Sequence, residues 1–360
     1  MTLFAQFAFS PLDEMAAKAP TSEAPKKPLP ASKKVPKPNA FLDWLLCSMV
    51  AVECVVIYRV LPQNLLVMLG GMLVVVAIAV WVTKATFRVV GGYVSRNFLK
   101  HLGDPLRKEV TMRKFTDQSW QLVIHASMSV LEYLVIRDET WWQDTTTLWN
   151  TKSPTCDFPE QKFLTNFLYI TQLAIWIYTA FSCKFLEEVR KDYLIMMTHH
   201  VVTIALVTWS FAMGFLPVGV LVLLLHDASD VPLDLLKMAN YLKLEDRKGF
   251  FVTEVLFAIM LSVWVYFRVY LYPAKLIYTS FWENREACCL PHEAHDLNVV
   301  FPYPGPPSWL AFNILLGSLY LLHIWWTFLI LRLLKGVLTK SVHDVAEDEY
   351  EGASDSGKDE

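Results

Sequence analysis

Residues 190–241 read RKDYLIMMTHHVVTIALVTWSFAMGFLPVGVLVLLLHDASDVPLDLLKMANY, and this stretch decides the fold. It holds two apolar runs, 194–213 and 216–237. Each is close to the length of ~20 residues that crosses ~30 Å of hydrocarbon as a helix. The first run contains His199 and His200; the second contains His226, Asp227, Asp230 and Asp234. Ionisable side chains at that depth are costly, and by default they mark function. A membrane helix pair with a polar site inside is therefore expected.

Working outward, the rest of the chain repeats the pattern. Of 360 residues, 54% are apolar and 19% charged, where a soluble domain carries charge on about a quarter. Further apolar segments run from 41 to 60, 65 to 88, 117 to 136, 162 to 182, 250 to 271 and 309 to 334. The expectation is an all-α polytopic membrane protein of about eight spans. Only Leu61-Pro62-Gln63-Asn64 separates the first two runs. That junction reads either as a tight helical hairpin or as one long helix broken at Pro62. The start of the chain does not read as a cleaved signal peptide, and the terminal GKDE is no intact retrieval signal. A net charge of −3 gives no sign of a nucleic acid partner.

Flanking charge sets orientation. Lys26, Lys27, Lys33, Lys34 and Lys37 precede the first run, and residues 84–114 are again strongly basic. Both segments are expected in the cytosol, and so are both termini. The expected organisation is a disordered basic tail (1–40), two membrane helices (41–88), a basic linker (89–116), a six-span catalytic region (117–336) and an acidic tail (337–360). Cys156, Cys288 and Cys289 fall in the two loops assigned to the lumen. A disulfide from Cys156 to Cys288 or Cys289 is compatible with an oxidising compartment. Ser354 and Ser356 lie among acids in EGASDSGKDE, the setting of an acidophilic kinase site.

Helical spacing organises the intramembrane groups. Asp227, Asp230 and Asp234 differ by three and four positions and so form one stripe. Asp192, Met196, His199 and Thr203 form another. His199 and Asp230 each lie about seven residues, or ~10 Å, from the cytosolic end of their helix. The helices run in opposite directions, so the polar groups meet at one level. Pro232 removes a backbone donor beside the carboxylates. His125, His323, Glu53, Glu132, Glu187 and Glu254 each look isolated, and packing or orientation is the simpler assignment for them. Desaturase-type HxxxH or HxxHH clusters are absent from the sequence. His199, His200, Asp227 and Asp230 form a set able to hold one Zn²⁺, but acyl transfer from a thioester fits them without a metal or other cofactor. Imidazole near neutral pH serves as nucleophile or general base, and a carboxylate beside it orients and charges it. A cavity ~10 Å deep suits the pantetheine arm of CoA, with its anionic head near Arg190 and Lys191.

The run from Arg190 to Leu242, with its paired histidines and H-D-x-S-D 27 positions later, resembles the longevity-assurance motif of eukaryotic ceramide synthases within the TLC membrane fold. RKFTDQSW (113–120) and LYLLHIWWTFLILRLL (319–334) are similar to the family's entry segment and last span. The resemblance implies a six-helix barrel around a lipid tunnel, here preceded by two extra helices. It implies a multi-pass protein of the endoplasmic reticulum, with fatty acyl-CoA as donor, a sphingoid base as acceptor and membrane lipid around it. A homo- or hetero-dimer is compatible with it. Catalytic roles fall on His199, His200, Asp227 and Asp230, and substrate contacts on Arg190, Lys191, Asp192, His226 and Asp234. Asp234 stands where the family pattern has Glu. The expected course is ping-pong: His199, oriented by Asp230, takes the acyl group, and the sphingoid amine removes it while Asp227 holds the acceptor. Direct transfer with His199 as general base is the alternative mechanism. A non-enzymatic lipid sensor or translocon-associated protein of the same fold is the alternative function.

Overall fold

The computed structural model describes residues 39–149, 161–187, 193–245, 250–302 and 305–339. The described elements are helices: α1 (Ala40–Val60), α2 (Gln63–Asn97), α3 (Glu109–Ile136), α4 (Phe163–Phe185), α5 (Tyr193–Met213), α6 (Leu216–Tyr241), α7 (Val252–Trp264) and α8 (Trp309–Thr339). A π-helix, Val265–Ile277, prolongs α7 without a break. Among the described residues, seven helical stretches are long and apolar enough to cross a membrane. The chain is an all-α, multi-pass membrane protein. At 23 residues, α4 also has spanning length, although it is not one of the seven. Much of it packs inside the protein, with Thr165, Gln172 and Ser182 buried, so it does not need an apolar surface all round.

Local chemistry sets the boundaries. Asn39 caps α1 by accepting from the amides of Phe41 and Leu42. The helix stops at Val60 because Leu61 is extended and Pro62 brings no amide hydrogen, so the first two runs are separate helices. α2 is 35 residues long, ~52 Å at the helical rise, which outreaches ~30 Å of hydrocarbon. Its charged end pairs with α3 through Lys84–Asp117 (2.7 Å) and Arg88–Glu109 (2.5 Å). The expected linker over 89–116 is therefore largely helix, and the connection proper spans only 98–108. Between α5 and α6, Gly214 adopts a left-handed φ of 77° while the Phe215 amide bonds Ser210 O at 2.8 Å. That closure ends a helix where a side chain would be strained.

Six helices close a ring. α3 packs on α6, α6 on α7, the π-helix on α8, α8 on α5, α5 on α4, and α4 back on α3. α1 lies outside against α5, and α2 outside against α3 and α4. Asp43 on α1 ties the outer helix to the ring, accepting from Lys184 of α4 (2.5 Å) and Tyr193 of α5 (2.7 Å). The connection before α8 folds about Arg285, which is fully buried. Its guanidinium donates to the carbonyls of Glu293, Ala294, Asp296 and Val299 at 2.6–3.0 Å and lies 4.8 Å from the Trp309 ring. Cys288 is disulfide-bonded, and Cys289 is a free thiol that burial pushes above its ordinary pKa. Cys156 lies outside the described residues.

Candidate active site

The site sits where α5 and α6 face each other inside the ring. His199 and His200 on α5 and His226, Asp227 and Asp234 on α6 are buried, and Asp230 is partly buried. The His199 and His226 rings are 6.5 Å apart and nearly parallel, so the two helices bring their polar groups to one level. His199 stands between two indoles, Trp176 at 5.3 Å and Trp326 at 5.4 Å, both edge-on. That arrangement fixes the ring plane by packing. Its Nδ1 is buried without a hydrogen-bond partner. His200, rotated about 100° along the helix, also packs edge-on against Trp176 at 5.7 Å, with its ring 6.0 Å from that of His199.

An apolar cavity begins at His199, Thr203 and His226 and runs toward the α5–α6 turn. Trp149, Phe215 and Phe312 close that far end, with ring contacts at 5.5 Å and 4.9 Å. The eleven helical steps from His199 to Ser210 span ~16 Å, about half of a ~30 Å hydrocarbon core. Tyr169 also lines the cavity, with its hydroxyl held by Ser210 (3.1 Å) and Leu216 O (3.1 Å). It fits because Gly219 faces it: a Cβ there would collide with the Tyr169 hydroxyl.

On the other side of α6 the carboxylates meet α3. Gln118, His125 and Glu132 recur every seven residues, two helical turns, and form one stripe. Asp234 accepts from Gln118 (2.6 Å) and bonds His125 Nδ1 (2.6 Å), while His125 Nε2 faces Asp230 at 4.0 Å. Glu132 and Asp227 share the Gln172 amide, at 2.8 and 2.6 Å. Gln172 in turn accepts from Trp176 (3.1 Å), the ring that supports both α5 histidines. His125 and Asp230 keep 16% and 21% of their side-chain surface exposed, whereas the cavity at His199 is apolar.

Two expectations need correction. Asp230 does not orient His199: it pairs with Arg268 at 2.7 Å. Arg268, from the π-helix, also donates to Ser229 Oγ (2.7 Å) and His226 O (3.0 Å), and lies 4.4 Å from the Trp264 ring. A buried carboxylate takes the nearest full cation, since an unpaired one is costly. Nor are His125, Glu132 and His323 isolated. His226 Nδ1 bonds Val222 O (2.7 Å), which places its hydrogen there, so Nε2 accepts from His323 Nε2 at 2.8 Å. The seven-residue repeat on α3 was the available signal for His125 and Glu132. Nothing in the sequence pointed to the pairing of Arg268 or His323. Arg190, Lys191, Asp192, Ser354 and Ser356 lie outside the described residues. Among the described residues no cluster of three or more His, Cys, Asp or Glu is arranged to hold a metal ion.

Comparison with known proteins places the ring in a family. Residues 114–332 match the TLC domain family, which covers α3 to α8. ASC1-like protein 1 of Oryza sativa subsp. japonica is 31% identical over 249 residues, 68% of this chain and 75% of that protein. Ceramide synthase LOH1 of Arabidopsis thaliana is 30% identical over 279 residues, 77% of this chain and 84% of that protein. Ceramide synthase 5 of Homo sapiens is 30% identical over 251 residues, 69% of this chain and 57% of that protein. The chain belongs to the TLC-domain family of membrane proteins, among relatives named ceramide synthases.

Proposed function

We propose that this protein is an acyl-CoA-dependent sphingoid base N-acyltransferase that makes ceramide. The observation that carries this reading is an apolar cavity about as deep as one leaflet, ending on a buried imidazole with a free nitrogen. The cavity accepts a fatty acyl chain, and its position at His199 puts the chain's carbonyl end beside that ring. A thioester has its own leaving group, so the reaction needs no metal or other cofactor. The partly exposed face of Asp230 and His125 offers the acceptor's ammonium a polar approach from the opposite side of α6. The relatives named ceramide synthases support the same activity.

In this reading His199 attacks the thioester carbonyl, CoA leaves, and the sphingoid amine then attacks the acyl-imidazole. Trp176 and Trp326 hold the ring; Asp230, neutralised by Arg268, shapes the acceptor side without touching His199. The protein resides in the endoplasmic reticulum membrane with both termini cytosolic, and the CoA head group lies by Arg190 and Lys191. Residues 117–336 form the catalytic region. Purified protein given acyl-CoA and sphingoid base should yield the N-acyl base. His199→Ala should abolish synthesis with expression and insertion intact, and wild type given acyl-CoA alone should gain the acyl mass. Absence of product from wild type would refute the function; absence of the adduct alone would leave the general-base mechanism in its place.

A further inference from the structure

We propose that Thr203 is a catalytic residue, whose hydroxyl donates a hydrogen bond to the oxyanion formed at the acyl carbonyl. The inference rests on the acyl-transfer reading above. Thr203 lies one helical turn beyond His199 on α5, and side chains four apart share a face with Cβ atoms ~5–6 Å from each other. Both residues line the apolar cavity. Thr203 is 6% exposed, and its Oγ1 has no hydrogen-bond partner. A buried threonine on a helix ordinarily returns its hydroxyl to the carbonyl one turn back, as Thr171 and Thr179 do here at 2.8 and 2.9 Å. Thr203 forgoes that bond, as Thr208 does on the same helix, but only Thr203 of the two lines the cavity beside His199, where it keeps an unsatisfied donor at a cost of stability.

Ser280 sits at the closed far end, beside the Thr279 that Trp149 bonds, and the remaining donors around the cavity are committed. Trp149 Nε1 bonds Thr279, Trp176 Nε1 bonds Gln172, Tyr169 bonds Leu216 O, Ser210 bonds Val207 O, and both His226 nitrogens are occupied. Backbone amides beside His199 are spent within α5, so a helix-borne site must find its oxyanion donor in a side chain. A lone pair of His199 forms the N–C bond, and the carbonyl π pair moves to oxygen, where the Thr203 hydroxyl donates. Collapse of the oxyanion breaks the C–S bond, and the thiolate leaves with its pair and takes the proton from the acyl-imidazolium. If the amine attacks the thioester directly, the same oxyanion forms at the same place.

The test is Thr203→Val, which keeps the shape and removes the hydroxyl, compared with Thr203→Ser. Both are measured for kcat, KM for acyl-CoA and thermal unfolding in detergent. An oxyanion donor predicts a fall in kcat of roughly 100-fold in the valine protein, KM within about twofold, and recovery of most activity with serine. Because an unpaired buried hydroxyl is removed, the valine protein should unfold at the wild-type temperature or above it. A valine variant with wild-type kcat would overturn the proposal while leaving the N-acyltransferase standing. A valine variant that loses activity in step with stability would also overturn it, as would failure of serine to restore turnover. Wild type inactive with acyl-CoA and sphingoid base would instead refute the parent reading.

Discussion

Arg268 has the greatest electrostatic consequence of any single residue in the site. Its guanidinium is 3% exposed and binds Asp230, Ser229 and the His226 carbonyl together. One cation thus neutralises Asp230 and holds the backbone that carries His226. Arg268→Met should leave Asp230 as an unpaired carboxylate among buried neighbours and cost about 3–5 kcal/mol, read as a lower unfolding temperature in detergent. Adding Asp230→Leu should recover most of that stability, since a buried ion pair is often replaceable by apolar groups. Activity should not return with it. If the double variant recovers turnover, the pair is a structural brace with no part in the chemistry. His199 presents the opposite case, a buried imidazole left without a partner between two indoles. Packing sets its plane, so its nitrogens stay available.

At the scale of the elements, α6 is the hinge between two environments. One face lines the apolar cavity with Val222, Leu223 and His226; another carries Asp227, Asp230 and Asp234 to the polar stripe of α3 and to Gln172 of α4. Its close approach to α4 depends on Gly219, which leaves room for the Tyr169 hydroxyl. Gly219→Val should push Tyr169 off Ser210 and Leu216 O and add volume in the far half of the cavity. The expected results are a loss of about 1–3 kcal/mol in stability and a shift toward shorter acyl products. A competition assay with mixed acyl-CoAs, read by mass spectrometry, checks the second; an unchanged product spectrum would mean that acyl chains do not reach Gly219. The α3 stripe was legible beforehand, because Gln118, His125 and Glu132 repeat every seven positions in an apolar run. Read singly, His125 and Glu132 passed for packing groups.

For the whole molecule, a closed ring of six helices shields an apolar chamber, with two further helices outside it. The connection before α8 folds around Arg285 near the end where Trp149, Phe215 and Phe312 close the cavity. Its contacts with Glu293, Ala294, Asp296 and Val299 make one side chain the interior of that segment. Arg285→Met should leave four carbonyls without their donor, each costing about 1–3 kcal/mol where it stays buried. Limited proteolysis should then cut within 284–302 faster than in wild type; equal resistance of the two proteins would show the disulfide at Cys288 to be sufficient. The sequence by itself determined the helices, because length and apolarity are local properties that the bilayer reads directly. It also led to the expectation that polar groups of α5 and α6 share a level, since a rise of 1.5 Å per residue needs no tertiary contact, and the ring sets His199 against His226, one turn from Asp230. Which group pairs with which was decided only by the ring. His125 meets Asp234 across 109 positions and His226 meets His323 across 97. Arg268 reaches Asp230 from a neighbouring helix. Charges buried in a low-dielectric interior take whichever counter-group the packing brings within reach, and that choice depends on the order of the helices around the ring.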